Sequence, residues 1–118
     1  RSLASQPLVR QKLAQLAIEV EVGMALCHRV SWMLNKGTVP NYESAMIKLF
    51  GTEQEQRIAA AGMQILGLYG QLTDVSQGAP MDGLIEFSYR DVLHHTVARG
   101  SSEIMRTVIA QRGLGLPR

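Results

Sequence analysis

The sequence predicts an all-α fold, an antiparallel four-helix bundle, and three observations favour it. Apolar residues recur three and four positions apart through most of the chain, which places them on one side of an α-helix. No segment alternates apolar and polar residues with the period of two that is typical of a strand. Aromatic residues make up only 5% of the 118 residues, and this length is typical of a single domain. We therefore expect one helical domain with one core.

The first helix is predicted from Pro7 to Lys36, because no further proline interrupts this segment. Its apolar or small residues follow helical spacing: Leu13, Leu16, Val20, Gly23, Cys27, Val30 and Leu34. Other apolar residues widen this stripe, so we expect burial on more than one side. Cys27 lies on the stripe and is expected to be a buried small hydrophobe. Lys36 followed by Gly37 is a typical helix end.

The second helix is predicted from Tyr42 to Leu68. Asn41 is its candidate N-cap, and Glu43 suits its first turn. Glu53 and Arg57 are four residues apart and are expected to pair on a solvated face. Because the connection from the first helix is short, the two helices are expected to be antiparallel.

The rest of the chain predicts a loop and two shorter helices. Glycine and proline residues between Gly67 and Gly83 indicate a loop of about a dozen residues. The third helix is predicted from Asp82 to Val97, with Asp82 as its N-cap. The fourth starts at Ser101 and ends at the glycine-rich tail near Gly113.

Composition excludes several classes of function. The net charge of +2 is small and the basic residues are scattered, which argues against a nucleic-acid partner. No apolar run approaches the roughly 20 residues of a membrane-spanning helix. The single cysteine cannot form a disulfide within the chain. Without a signal-peptide pattern at the N-terminus, we expect a reduced, cytoplasmic setting.

Two histidines and two glycine-containing segments are the candidates for a site. His94 and His95 are adjacent, so their side chains leave a helix ~100° apart, and we predict no metal site. The segment 64–70 ends a helix with two glycines three residues apart. The segment 100–103 opens the last helix with glycine and two serines, and free amide groups there suit a phosphate. Ordinary serine capping is the alternative for that segment.

In this order and spacing, the segments resemble the C-terminal helical domain of acyl-CoA dehydrogenases over essentially the whole chain. The resemblance depends on the following residues: Leu13-Ala14, Glu21, Arg29, Trp32, Gly37, Ala45 to Phe50, Gln64-Ile65-Leu66-Gly67 with Gly70, Arg90-Asp91, Gly100 to Arg106, and Arg112 to Arg118.

The resemblance implies that residues 1–118 are the C-terminal helical bundle of a longer flavoprotein with an N-terminal helical and a middle β domain. The first residue, Arg1 rather than Met, fits that expectation. Such enzymes oxidise an acyl-CoA thioester to the 2,3-enoyl form, transfer a hydride to FAD and pass electrons to an electron-transferring flavoprotein. Their bundles assemble homo- or hetero-oligomers, dimers or tetramers, with FAD across a subunit interface. The bundle alone is expected to be inactive.

The resemblance also implies roles for particular residues. Gln64 and Gly67 match positions that contact the adenosine diphosphate part of a neighbouring subunit's FAD. Ser101 and Glu103 match positions that contact the cofactor at the start of the last helix. Arg99 occupies the place where many relatives carry the glutamate base, and a guanidinium cannot act as a base near neutral pH.

Three alternatives follow for the function. The base of an active enzyme could come from an earlier helix upstream of Arg1, as in relatives that act on branched chains. The chain could instead belong to a non-catalytic subunit whose partner supplies the base, as in heteromeric relatives that act on steroid side chains. An unrelated helical interaction module is the third alternative.

Overall fold

The computed structural model describes residues 2–117, and these form four α-helices and no strand. The helices are α1 (Pro7–Asn35), α2 (Glu43–Leu66), α3 (Leu84–His95) and α4 (Ser102–Val108). Short 3-10 helices lie at Leu3–Ser5, Gly67–Gln71 and Pro80–Gly83, and a π-helical turn, Ile109–Gly113, continues α4. The predicted all-α antiparallel bundle is confirmed. Arg1 and Arg118, the ends of the predicted domain, lie outside the described residues.

Two ion pairs establish that α1 and α2 are antiparallel. Arg57 on α2 pairs with Glu19 on α1, with Nε 2.8 Å from Oε2. Farther along α1, Arg29 pairs with Glu43 at 3.7 Å. As the residue number rises on α1 it falls on α2, which confirms the predicted direction.

The end of α1 has the predicted geometry. Gly37 adopts a φ of +74°, in the left-handed region that glycine occupies without a steric penalty. The Thr38 amide then donates to the Met33 carbonyl at 2.9 Å. This bond satisfies one of the free carbonyls of the last turn and ends the helix.

The start of α2 differs from the prediction, because Asn41 does not cap it. Tyr42 holds the N-cap position and makes no side-chain cap bond. Instead the Glu43 carboxylate accepts from the amides of Asn41 and Tyr42, at 3.1 and 3.3 Å. The pKa of Glu43 is lowered, chiefly by its own backbone amide, with those two amides and Arg29 also contributing. An acid in the first turn therefore satisfies these backbone donors in place of an N-cap side chain.

The α2–α3 connection contains more regular structure than predicted. α2 ends at Leu66, two residues early, because Gly67 has a φ of +57° and starts a 3-10 turn. Asp82 does not cap α3, since Gly83 holds the N-cap position with a φ of +76°. A Cβ at Gly83 would lie 2.4 Å from the Asp74 backbone nitrogen, so the connection packs tightly against itself there.

Helix α2 is the centre of the domain and packs against α1, α3 and α4. Small residues allow close approach of the helices: a Cβ added at Gly62 would lie 3.0 Å from Ile85 of α3. The buried apolar side chains among residues 2–117 are accordingly few and mostly small: Leu16, Ala45, Ala59, Ala61 and Val92.

Helix α1 is open on the side away from α2. Leu16 is its one buried residue, and the expected burial on more than one side does not occur within the described chain. The prediction that Cys27 is buried was wrong, since this residue is exposed. The reason is that Cys27 lines an open groove between α1 and α2, beside Phe50 and Gly51, where no side chain covers it.

Candidate functional site

A groove of about 590 Å³ lies between α2, α3 and the start of α4, and is here called the α4 groove. Both polar and apolar side chains line it: Glu53, Gln56, Arg57, Ala60, Tyr89, Val92, Leu93, Thr96, Ser102, Glu103 and Arg106. It contains one predicted site residue, Glu103, and lies beside a second, Ser101.

Long-range polar contacts hold α4 over the groove. Arg106 Nη2 lies 2.5 Å from Glu53 Oε1 on α2. Thr96, after α3, accepts from the Ser102 amide at 3.0 Å through its carbonyl and from Gln56 Nε2 at 3.0 Å through its hydroxyl. The predicted pair of Glu53 with Arg57 is therefore wrong, because the bundle gives each of these residues a partner on another helix.

The start of α4 is a capped helix end. The Ser101 hydroxyl accepts from the Ile104 amide at 3.4 Å, and the Ser101 carbonyl accepts from the Met105 amide at 2.9 Å. The Ser102 amide already donates to Thr96. Ordinary serine capping, the alternative considered for this segment, is thus what the structure has. These amides are engaged within the chain and leave little free donor capacity for a phosphate.

Glu103 and Ser102 supply a carboxylate and a hydroxyl to the groove. A hydrogen bond from the Ser101 hydroxyl, and next the backbone amide of Glu103 itself, lower the pKa of the Glu103 carboxyl. Glu103 is exposed and accepts hydrogen bonds as a carboxylate at neutral pH. The Ser102 hydroxyl is buried and has no hydrogen-bond partner among residues 2–117.

Gln64 and Gly67 lie outside the groove lining, toward the end of α2. Gln64 is four residues beyond Ala60, so it continues the same face of α2 that forms the groove wall. Its side chain is exposed. Gly67 is also exposed, and a Cβ there would meet no atom within 4 Å. Of the four predicted cofactor residues, the structure places two at the groove and two beyond its α2 wall.

Arg99 lies in the turn between α3 and α4 and adopts a φ of +56°, which is rare for a residue with a side chain. It lines a second cavity of about 510 Å³ together with Lys48, Thr52, Glu55, His94, His95 and Ala98. The segment therefore brings a permanent positive charge to this cavity, and no carboxylate occupies the position.

The two adjacent histidines lie closer than their sequence positions suggested. Their ring centroids are 4.3 Å apart. Together with Asp91 they bring three possible metal-ligating atoms within 4.8 Å of one another. The geometric reason given for predicting no metal site is therefore wrong. The directions of adjacent side chains on a helix did not predict that these three side chains meet. The Asp-x-x-His-His spacing does indicate such a cluster, because Asp91 is one helical turn before both histidines.

No helix among residues 2–117 combines the length and the hydropathy needed to cross a membrane.

Residues 1–114 match the family model described as "Acyl-CoA dehydrogenase, C-terminal domain". The chain is 31% identical over 103 residues to benzylmalonyl-CoA dehydrogenase of Aromatoleum aromaticum, covering 87% of this chain and 25% of that protein. It is 32% identical over 102 residues to the mitochondrial short-chain specific acyl-CoA dehydrogenase of Rattus norvegicus, covering 86% and 23%.

Solved structures share the same fold. The Tcur3481–Tcur3483 steroid ACAD superposes with a TM-score of 0.92 at 28% identity, covering 98% of this chain and 30% of that chain. The ChsE4–ChsE5 complex from Mycobacterium tuberculosis gives a TM-score of 0.90 with the same identity and coverage.

The chain spans about a quarter of the length of these curated relatives. The matches exclude an unrelated helical interaction module. The chain belongs to the acyl-CoA dehydrogenase family, as its C-terminal helical domain.

Proposed function

We propose that this domain is the oligomerisation and FAD-contacting part of an FAD-dependent acyl-CoA dehydrogenase. The full-length enzyme would oxidise an acyl-CoA thioester to the 2,3-enoyl-CoA and pass electrons to an electron-transferring flavoprotein. FAD, when bound, would supply the acceptor for the hydride. The match of residues 1–114 to the family's C-terminal domain carries this proposal. Residues 1–118 would then be the last of three domains.

The α4 groove fits a hydroxyl-rich part of the cofactor better than a phosphate. The Glu103 carboxylate can accept from a ribose hydroxyl, as acidic residues do in other nucleotide sites. The buried Ser102 hydroxyl needs a partner, and a group entering the groove could provide one. Because the Ser101 hydroxyl and carbonyl hold α4 amides, we assign Ser101 to shaping the site and to orienting Glu103.

Gln64 and Gly67 would contact the adenosine diphosphate part of a neighbouring subunit's FAD. Both are exposed at the end of α2, where a partner can reach them. The Gln64 amide offers both a donor and an acceptor. The open space around Gly67 allows close backbone approach by a ligand.

The outer face of α1 supports assembly with a second, homologous subunit. Ile18, Val22, Ala25 and Trp32 are all exposed and lie on the side of the helix opposite Leu16, at ~100° per residue. Ile18 and Trp32 are each 61% exposed. Fully burying one large apolar side chain contributes about 1.5–3 kcal/mol, so pairing this face stabilises an oligomer.

Arg99 indicates that this domain does not supply a catalytic base at position 99. It cannot remove the α-proton of a thioester, so the base would come from elsewhere in the full-length chain or from a partner subunit. The second arrangement is the runner-up proposal: a non-catalytic subunit of a heteromeric dehydrogenase. Arg99 favours it, and both solved structures named above pair two different proteins.

Sedimentation velocity of the full-length protein, detected at both the protein and the flavin absorbance, tests assembly and cofactor binding together. The wild type is expected to sediment as a dimer or larger with bound flavin. Trp32→Glu should sediment as a smaller species with less flavin, whereas Ser31→Glu, which adds the same charge on a different side of α1, should behave as wild type. A wild-type protein that sediments without flavin would overturn the proposal.

A further inference from the structure

The end of α3 carries a cluster of one carboxylate and two imidazoles that has no part in the function proposed above. Asp91 Oδ1 lies 3.6 Å from His94 Nδ1, and Asp91 Oδ2 lies 3.8 Å from His95 Nε2. The three residues occupy positions i, i+3 and i+4 of one helix, which is the spacing at which helical side chains meet. All three reach solvent, so an ion can enter without rearrangement of the core.

A fourth residue, on α2, orients one of the imidazoles. Glu55 Oε2 lies 2.7 Å from His95 Nδ1. Since a carboxylate only accepts, Nδ1 donates to Glu55, and Nε2 is the ring nitrogen left for a metal ion. A carboxylate behind a histidine in this way fixes the ring and raises the basicity of the other nitrogen, as in many metal sites.

We propose that Asp91, His94 and His95 bind one divalent first-row transition metal ion, with Zn²⁺ as the representative ion. Nitrogen and oxygen ligands at about 2.0–2.2 Å from zinc in a tetrahedron lie about 3.3 Å from one another. One candidate ligand atom from each residue lies within 4.8 Å of the other two. The imidazole nitrogens of His94 and His95 are 3.6 and 3.8 Å from different carboxylate oxygens of Asp91, so rotation of these exposed side chains would bring the ligand atoms to that spacing. Mixed imidazole and carboxylate ligands suit zinc and its neighbours rather than calcium or magnesium. The remaining coordination position would hold water.

Positive charges near the cluster lower its expected affinity for a divalent metal ion. Lys48 and Arg99 line the cavity that contains both histidines, and Lys48 Nζ donates to the His95 carbonyl at 2.9 Å. Asp91 and Glu55 offset these charges. The site is therefore expected to bind more weakly than a closed structural zinc site with four protein ligands.

Calorimetric titration of the full-length protein with Zn²⁺ tests the proposal, together with zinc-edge X-ray absorption of the loaded protein. We expect one Zn²⁺ per chain and the scattering pattern of imidazole ligands. Glu55→Gln should weaken binding by about 10–100-fold, as expected for a residue that orients a ligand. His94→Ala and His95→Ala should each weaken it further.

The third histidine is the matched control. His28 lies on α1, is exposed and does not belong to the cluster. His28→Ala should leave the zinc affinity unchanged, and circular dichroism verifies that each variant is folded. Zinc affinity that is insensitive to both cluster histidines, or an absorption spectrum without imidazole scattering, would overturn the site. Neither readout depends on FAD, so the result is independent of the proposed function.

Discussion

The Arg57 guanidinium of α2 donates to the Glu19 carboxylate of α1, with Nε 2.8 Å from Oε2. Gln15 donates to the other carboxylate oxygen at 3.1 Å. The bond from Arg57, followed by that from Gln15, lowers the pKa of Glu19 below its ordinary value. This contact lies at the α1–α2 interface, where few large apolar side chains are buried.

Glu19→Gln is expected to lower the stability of the fold at neutral pH and to lose this effect in acid. A carboxyl whose pKa is lowered by folding stabilises the folded state above its unfolded pKa, near 4.5. That contribution disappears as the pH falls below 4.5 and through the lower folded pKa. The measurement is urea unfolding of both proteins from pH 7 to pH 3. Glu21→Gln is the control, because Glu21 forms no ion pair in the described part of the chain. A difference that stays constant across this pH range would contradict the assignment.

Gly83→Ala is expected to destabilise the domain more than Gly37→Ala. Both glycines have a positive φ, of +76° and +74°, so each alanine variant carries a backbone cost of about 1–2 kcal/mol. Only at Gly83 would the new Cβ meet backbone, with the Asp74 nitrogen at 2.4 Å. Thermal unfolding of the two variants separates the steric clash of the new Cβ at residue 83 from the backbone cost of a positive φ, which both variants share. Equal losses of stability would show that the connection relaxes freely around residue 83.

Gln64→Ala is expected to weaken FAD retention by the full-length protein about 3–10-fold, the cost of roughly one hydrogen bond, without changing its stability when FAD is absent. Ser101→Ala should weaken FAD retention and also lower the stability of the FAD-free protein, because it removes a helix cap that contributes about 1 kcal/mol. Ser101→Gly retains most of the capping stability and separates the two effects. Gln77→Ala, an exposed amide in the α2–α3 connection, is the control. The cofactor assignment fails if Gln64→Ala lowers the melting temperature equally with and without added FAD.

Arg99→Gln is expected to change the rate of flavin reduction by acyl-CoA less than tenfold. Removing a general base costs about 10²–10⁴-fold, and a guanidinium does not serve that role. Rapid mixing of the full-length protein, or of its complex with a partner subunit, with substrate under anaerobic conditions measures this rate. Arg99→Lys retains the charge and is the matched control. A loss above 100-fold in Arg99→Gln alone would place this side chain in the chemistry.

The helices were largely predictable from the sequence, because their signals are local. Apolar spacing predicted α1 to within one residue of its end, and the Lys36-Gly37 signal marked that end correctly. The caps were less predictable. Asn41 and Asp82 have suitable side chains, but neither caps its helix. The Glu43 carboxylate accepts from the amides before α2, and Gly83 holds the N-cap position of α3 through its left-handed backbone.

The site was less predictable than the fold, because it depends on contacts between distant segments. The partner of Glu53 is Arg106, which is 53 residues away along the chain, and no local spacing identifies it. The buried Ser102 hydroxyl and the approach of Glu55 to His95 likewise exist only once α2, α3 and α4 have packed. The cofactor residues were named from the family resemblance and not from a pattern of spacing.

The exposed apolar face of α1 could be predicted in part. The sequence indicated a helix with apolar residues on more than one side, and it could not indicate which side faces its own domain. The structure distinguishes the two sides of α1, because Leu16 is buried toward α2 and Trp32 is exposed on the opposite side.

The most direct test of the central claim is anaerobic incubation of the full-length protein with a panel of straight-chain, branched, aryl and steroid acyl-CoA thioesters, followed by mass spectrometry of the thioester. If the domain belongs to an active acyl-CoA dehydrogenase, one thioester class loses two hydrogens in step with bleaching of the bound flavin. If a partner subunit supplies the base, the same product forms only when the two subunits are combined. Flavin-free protein that leaves every thioester unchanged, alone and with its partner, would contradict the account.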